Sequence, residues 1–145
     1  TRFGAELATR AQSANGDKSA LEVLGYLQAR TRDEAGLAQS NEFGWRRYRI
    51  PEFAISRVAG LLLSEDAAAK AQGQTLLEQA LRDFPDESRL LRYEFVLKQP
   101  QGADREAALV RLILAEYHGL QVGDRTARAL REFVAALAKA RTPKP

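Results

Sequence analysis

Histidine and cysteine, the side chains that most often bind metals or act as nucleophiles, are nearly absent from this sequence. There is no cysteine, and His118 is the only histidine. A zinc site or a nucleophile–base pair needs several such groups at defined spacing. His118 lies at a predicted helix end, where a cation interacts favourably with the helix dipole. The sequence therefore predicts no metal site, no cofactor and no catalytic histidine.

The acidic side chains are scattered along the sequence. Several of them, including Asp66 and Glu87, lie near predicted helix starts, where the helix dipole stabilises negative charge. No pair of carboxylates stands on an otherwise apolar face, as a general acid with a raised pKa would. The sequence also lacks a Gly-rich phosphate loop, a nucleophile-elbow motif and a zinc-helix motif. We therefore expect a protein that is not an enzyme.

The most concentrated basic and aromatic stretch is Trp45-Arg46-Arg47-Tyr48-Arg49. Arginines that contact phosphates beside rings that stack on bases are typical of single-stranded nucleic-acid binding, and the same groups suit lipid headgroups. The alternative is a packed Trp45 or Tyr48 covered by arginine stems whose charged ends stay in water. We favour packing, and retain Trp45, Arg46, Arg47 and Arg49 as candidate partner-binding residues.

Length and charge narrow the class of protein further. The 145 residues suit one domain with a substantial core, which we expect to span residues 1–145. The net charge is +3, from 22 basic and 19 acidic residues. A dedicated nucleic-acid binder usually carries a stronger, clustered basic surface, so nucleic acid is a minor alternative. No apolar run approaches the roughly 20 residues that span a bilayer.

Helix-forming segments follow one another along the whole chain, and no segment shows convincing strand alternation. Asp17 is a predicted N-cap, Pro51 a predicted first residue, and Asn15-Gly16 and Gly119 are predicted helix ends. The predicted helices cover approximately residues 2–14, 18–30, 31–45, 51–64, 66–84, 87–98, 104–118 and 124–141. Short connections between helices favour antiparallel neighbours. The predicted fold class is all-α, built from antiparallel helical hairpins.

Apolar spacing predicts which face of each helix is buried. The residues expected to face inward are Leu21, Leu24 and Leu27; Ile55, Val58 and Leu62; Leu76, Leu77, Ala80 and Leu81; Leu90, Leu91, Val96 and Leu97; and Leu130, Phe133, Val134 and Leu137. The last group, on the predicted helix 124–141, should cover the apolar face of the predicted helix 104–118 around Leu109, Leu112 and Ile113.

One internal repeat is visible at an offset of 35 residues. In each copy a small residue is followed four positions later by leucine and three positions after that by alanine. The two sets are Gly73, Leu77, Ala80 and Ala108, Leu112, Ala115. Small side chains at a helix crossing allow close approach, and the large residue fills the space beside them.

Residues 73–86, GQTLLEQALRDFPD, resemble the second helix and closing proline of the tetratricopeptide repeat (TPR) family. The repeat length is close to that family's 34 residues. The resemblance implies two TPR-like helix pairs over residues 51–118 and a C-terminal capping helix over residues 124–141. The family's Trp, Leu-Gly and Tyr positions are not met in either pair, and two repeats are fewer than the usual three. Residues 1–50 should then supply degenerate helices.

The resemblance also implies a binding surface, because first helices of such repeats line a groove that receives peptides. Arg89, Arg92 and Tyr93 lie on the first helix of the second pair. Arg89 and Arg92 should point outward, one turn apart, with Tyr93 at the edge. Basic groups there suit an acidic protein or peptide partner. The alternative is a solvated face without a partner.

A second, shorter resemblance concerns context. Residues 80–86, ALRDFPD, are similar to soluble regions of bacterial membrane proteins that handle polysaccharides or oligosaccharides. The missing initiator methionine favours a processed protein or an excised domain, which sequence outside this chain could tether to a membrane. We expect a non-catalytic interaction or scaffold module of a bacterial envelope assembly, secretion or polysaccharide system, in periplasm or cytoplasm. The alternatives are a regulatory appendage of a membrane-bound sugar-transfer enzyme and nucleic-acid binding.

Overall fold

The protein is a series of α-helices in the computed structural model, which describes residues 2–13, 16–119 and 124–141. The helices are α1 (Arg2–Gln12), α2 (Lys18–Arg30), α3 (Glu34–Tyr48), α4 (Pro51–Leu62), α5 (Ala67–Asp83), α6 (Ser88–Lys98), α7 (Gly102–Gly119) and α8 (Asp124–Arg141). No strand occurs within these described ranges. The predicted all-α class is confirmed.

The helices form two compact units, Thr1–Leu76 and Leu77–Pro145, and the division falls inside α5. In the first unit, α1 packs against α2, α2 against α3, and α3 against α4. In the second unit, α6 packs against α7 and α7 against α8. Consecutive helices joined by short turns are antiparallel hairpins, as predicted. The extensive α3–α4 packing joins the predicted degenerate segment, residues 1–50, to the first helix of the predicted repeats.

Local capping explains where several helices begin and end. The Asp17 carboxylate accepts a hydrogen bond from the backbone N–H of Ala20 at 3.0 Å, and Pro51 occupies the first turn of α4. Both were predicted, because such signals act within a single turn. Arg49 and Gln99 end α3 and α6 in the left-handed region, with φ of 54° and 42°. Non-glycine residues adopt this conformation uncommonly, and sequence did not indicate it.

The core of the first unit is centred on the α3–α4 crossing. Trp45, Ala54 and Val58 are fully buried, and Phe53 is 8% exposed. The α5 helix also approaches α4 closely, since a β-carbon added at Gly73 would lie 3.0 Å from the Leu61 and Leu62 side chains. Gly73 therefore acts as the small crossing residue that the repeat pattern predicted.

The predicted buried faces are partly confirmed. Leu21, Leu24, Val58, Leu77, Ala80, Leu81, Leu90, Leu91 and Ala115 are buried, whereas Leu27, Leu76, Leu109 and Leu112 are half-buried. In α4 the prediction of Ile55 and Leu62 is wrong: Phe53, Ala54 and Leu61 take the buried positions beside Val58, and the two predicted residues are half-buried. The face of α4 is rotated because the helix packs its Phe53 side against α3.

The prediction for α6 is wrong at its C-terminal turn, where Val96 and Leu97 are 67% and 42% exposed. The groove between α6 and α7 is lined on the α6 side by Leu91, Glu94, Phe95 and Lys98. These residues follow the helical spacing of three and four, so they define the side that faces α7. Val96 and Leu97 lie off that side.

The C-terminal helix has the predicted bounds and packs against α7. Phe133 is nevertheless 57% exposed and Ile113 of α7 is 44% exposed, so neither belongs to the buried contact that was predicted. The structure does not describe four side chains that the sequence analysis named: His118, Leu130, Val134 and Leu137. Asn15, half of the predicted Asn15-Gly16 helix end, is also outside the described residues.

Candidate functional site

Trp45 is completely buried, which corrects its assignment as a partner-binding residue. The guanidinium carbon of Arg46 lies 3.9 Å from the centroid of the Trp45 ring and covers it. An aromatic ring must be accessible on one face to stack on a base, and this ring is not. Trp45 is therefore a packed ring, as the favoured interpretation of this stretch predicted, and the Arg46 side chain covers it.

The neighbouring groups of this stretch also make structural contacts. Arg46 Nε donates a hydrogen bond to Glu42 Oε1 at 2.9 Å, one helical turn away. The half-buried Tyr48 hydroxyl donates to the carbonyl oxygen of Ala11 at 2.7 Å and ties the end of α3 to the end of α1. Arg47 and Arg49 are exposed at the C-terminus of α3, and their role in binding stays a prediction.

On α6, Arg89 and Arg92 are exposed as predicted, with 47% and 62% of each side chain accessible, and Tyr93 is half-buried. Arg89 Nε lies 2.8 Å from Glu87 Oε1, and Arg92 forms an ion pair with Glu116 of α7. The hydrogen bond from Arg89 to its side chain lowers the pKa of Glu87 below the ordinary 4.5. Both arginines therefore stabilise the helix start and the α6–α7 contact, whether or not they bind a partner.

A groove between α3 and α4 was not predicted. Its volume is about 660 Å³, within the usual range for ligand sites. The lining consists mainly of small and apolar side chains interrupted by a few polar ones: Glu34, Ala35, Leu37, Ala38, Asn41, Ser56, Arg57, Gly60, Leu61, Leu63, Ser64 and Ala69. All of these residues belong to the first unit.

Arg57 is the cation of the α3–α4 groove. Its side chain is only 18% exposed, and its Nε is shielded from solvent without a hydrogen-bond partner. The nearest carboxylate oxygen, Glu42 Oε2, is 3.8 Å away, which is too long for a hydrogen bond. The other oxygen of Glu42 accepts the bond from Arg46. Arg57 is thus placed in a largely desolvated position with an incompletely satisfied guanidinium.

The remaining lining gives the groove two different ends. Asn41 is 7% exposed and immediately precedes Glu42, whose carboxylate lies 3.8 Å from Arg57, whereas Glu34 is the first residue of α3. Because α3 rises about 1.5 Å per residue, the seven positions between Glu34 and Asn41 span roughly 10 Å. Leu63, at the rim, is 77% exposed. One end of the groove therefore carries the Arg57 guanidinium and the buried Asn41 amide, and the other end carries the Glu34 carboxylate. Apolar side chains lie between the two ends.

A second groove of about 500 Å³ lies between α6 and α7. Three of its four charged side chains have partners: Lys98 Nζ lies 3.1 Å from Glu94 Oε2, and Arg111 Nη2 donates to the Pro85 carbonyl oxygen at 2.9 Å. Arg111 also lies 3.8 Å from Glu94. None of its described lining residues has a buried polar atom without a hydrogen-bond partner, whereas Arg57 Nε in the α3–α4 groove is such an atom. The α3–α4 groove is therefore the stronger candidate site.

One signal in the sequence could have indicated Arg57. It is the only cation of α4, a helix otherwise dominated by apolar and small residues. A charge in such a segment is either paired or placed at a site. The position of Glu42 beside it could not be read from the sequence, because the two residues meet across a helix crossing.

Comparison with protein-family models, curated proteins and solved structures finds no match for this chain. Within the described residues, no cluster of three or more histidine and carboxylate groups is arranged to hold a metal ion. No described helix has both the length and the apolar character needed to cross a membrane. The α3–α4 groove and the surface around Arg89 and Arg92 are the features on which a function can be argued.

Proposed function

We propose that this protein is a non-catalytic binding module that takes a segment of another protein into the α3–α4 groove. The groove itself is the observation that carries the proposal. It lies between the packed helices α3 and α4, is completed by Leu63, Ser64 and Ala69, is about 660 Å³ in volume, and combines apolar walls with a few polar groups. Grooves of this kind bury an apolar segment and use isolated polar groups to orient it.

The burial of Trp45 favours this proposal over nucleic-acid binding, because stacking would require that ring. The bacterial envelope setting remains part of the proposal and rests on the resemblance of residues 80–86. The identity of a captured partner would test it. An envelope or polysaccharide-handling protein would agree with it, and a nucleic-acid enzyme would contradict it.

Gly60 provides a direct test of the groove. It lies in the groove wall, and a β-carbon added there meets no atom within 4 Å, so a large side chain can occupy the groove without disturbing the helices. We expect Gly60→Trp to leave far-UV circular dichroism unchanged and to weaken binding at least tenfold. The matched control is Ala29→Trp, on an exposed position of α2 outside the groove.

The partner can be found by placing a photo-crosslinking amino acid at Ser64 in the groove and, separately, at Ala29. A protein captured from Ser64, but not from Ala29, is then purified, and its affinity is measured for the wild type, Gly60→Trp and Ala29→Trp. Equal affinity for all three proteins would show that the groove is not the binding site. The surface of Arg89 and Arg92 would then be tested next.

A further inference from the structure

We infer that the segment bound in the α3–α4 groove carries an acidic side chain next to apolar ones, and that Arg57 recognises the carboxylate. This inference rests on the proposed function and specifies the chemistry of the partner. It is based on the charge and hydrogen-bonding state of Arg57, on the distribution of polar groups along the groove, and on the exposed leucine at its rim.

Arg57 has a hydrogen-bonding capacity that the described part of the chain does not use. A guanidinium has five N–H donors and is always charged. Most of the Arg57 side chain is removed from water, and its Nε has no hydrogen-bond partner. The 3.8 Å approach of Glu42 gives electrostatic attraction without a hydrogen bond. A largely desolvated cation is unfavourable on its own, and a carboxylate at the accessible end of the guanidinium stabilises its charge without a bond to the shielded Nε.

Glu42 does not fill this role because it is shared. Its Oε1 accepts a hydrogen bond from Arg46 Nε at 2.9 Å, and Arg46 is at the same time packed over the Trp45 ring. Movement of Glu42 toward Arg57 would weaken that arrangement. A ligand carboxylate that reaches the accessible end of the guanidinium does not compete with it.

The opposite end of the groove decides at which end the acidic group of the segment binds. Glu34 lies there and would repel a second carboxylate, so the acidic group belongs at the Arg57 end. Between the two ends lie Leu37 and Leu61, with the exposed Leu63 at the rim. A length of roughly 10 Å holds about three residues of extended chain. The occupant is therefore a short segment with one acidic residue followed or preceded by apolar residues.

Four tripeptide amides test the inference on the wild-type protein. Two are acidic, acetyl-Glu-Leu-Leu-amide and acetyl-Leu-Leu-Glu-amide, and two carry glutamine in place of glutamate. Each is titrated while nitrogen-15 NMR follows the Arg57 Nε–H resonance and the backbone amides of α3 and α4. We expect one acidic peptide to bind with millimolar affinity, to shift Arg57 and Gly60, and to bind at least fivefold more tightly than its glutamine counterpart.

Three variants refine the result. Arg57→Gln should reduce the affinity of the acidic peptide to that of the glutamine peptide. Glu42→Gln should raise the affinity of the acidic peptide two- to threefold, because the neighbouring negative charge that repels the peptide carboxylate is removed. Gly60→Trp should abolish binding of all four peptides. The comparison of acidic and glutamine peptides does not depend on whether any variant folds.

Several outcomes would overturn the inference. If the acidic and glutamine peptides shift the same groove resonances with equal affinity, charge recognition by Arg57 is wrong, whereas the groove remains a binding site. If the acidic peptides shift resonances on α6 and none on α3 or α4, the carboxylate is recognised around Arg89 and Arg92 instead. Failure of the acidic peptides to shift any groove resonance at 20 mM also overturns it. Failure of the proposed function has a different signature: the captured partner protein would bind Gly60→Trp with the same affinity as the wild type.

Discussion

A β-carbon added at Gly44 would lie 2.5 Å from the ring of Phe53. The two residues mark the point where α3 crosses α4, and the contact leaves no room for a methyl group on α3. Phe53 is 8% exposed, so its ring has little freedom to move aside. The same crossing holds Trp45 and, no more than about one helical turn from the Gly44–Phe53 contact, brings Arg57 toward Glu42. The geometry of the α3–α4 groove therefore depends on the absence of a side chain at residue 44.

Gly44→Ala should destabilise the protein, whereas Gly60→Ala should stabilise it. Overpacking a core typically costs about 1–3 kcal/mol, and a contact this short places the cost at the upper end, above the roughly 1 kcal/mol that alanine contributes through helix propensity. At Gly60 the added methyl group meets nothing within 4 Å, so only the propensity gain of about 1 kcal/mol remains. Urea unfolding measures both. If both substitutions changed the free energy of unfolding in the same direction, the close contact between Gly44 and Phe53 would be contradicted.

Tyr48→Phe should lower the free energy of unfolding by about 1 kcal/mol. The change removes the hydrogen bond from the hydroxyl to the carbonyl oxygen of Ala11, which lies in the last turn of α1, where carbonyl groups generally need partners from outside the helix. The control is Tyr26→Phe on α2, where the side chain is 69% exposed and no effect is expected. Equal midpoints of urea unfolding for the two variants would argue against a stabilising role of this bond.

The fluorescence of Trp45 should report a buried indole. It is the only tryptophan, so the emission has one source. The ring is fully buried beneath Arg46, and acrylamide should quench the folded protein several-fold less efficiently than the unfolded protein. Addition of single-stranded DNA at low salt should leave the emission unchanged. Efficient quenching in the folded state, or a large response to DNA, would restore the stacking hypothesis for this residue.

Acidification should destabilise the start of α6 through Glu87. The pKa of Glu87 is lowered below 4.5, first by the hydrogen bond from the Arg89 side chain. A lowered folded-state pKa contributes stability that is present above the unfolded value and is lost as the pH falls from about 5 through the folded pKa. We expect Arg89→Ala to move the pKa of Glu87 back toward its ordinary value, measured by carbon-13 NMR of the carboxyl group. Lys98→Ala, at the other end of α6, should leave it unchanged.

Reversing the charge of Arg92 should have a structural effect before any effect on binding. In Arg92→Glu the new carboxylate faces Glu116, so attraction between α6 and α7 becomes repulsion. Exposed pairs contribute little, and we expect a loss of about 0.5–1 kcal/mol. The double variant Arg92→Glu with Glu116→Arg should recover most of it. Without such recovery, the Arg92–Glu116 pair does not stabilise the helical contact. A binding experiment on Arg92 therefore needs the double variant as its control.

The sequence by itself determined the helices and most of their ends. Asp17 and Pro51 act on backbone groups within one turn, so their effects are visible in a short stretch of sequence. The bounds of α8 and the role of Gly73 were also predictable, because helical spacing and small residues report directly on a packed face. The all-α class follows from these local signals, which do not depend on the rest of the chain.

The tertiary structure alone decided which faces meet and where the groove lies. Val96 and Leu97 satisfy the apolar pattern of α6 but lie off the side that faces α7. The sequence favoured packing in the stretch around Trp45 without excluding a binding surface, and the α3–α4 crossing buries the ring completely. Arg57 and Glu42 are brought together by the same crossing, which requires the space left by Gly44. Burial and pairing of this kind depend on which helix becomes the neighbour, and contacts between residues far apart in the chain are not encoded in the local spacing of either helix.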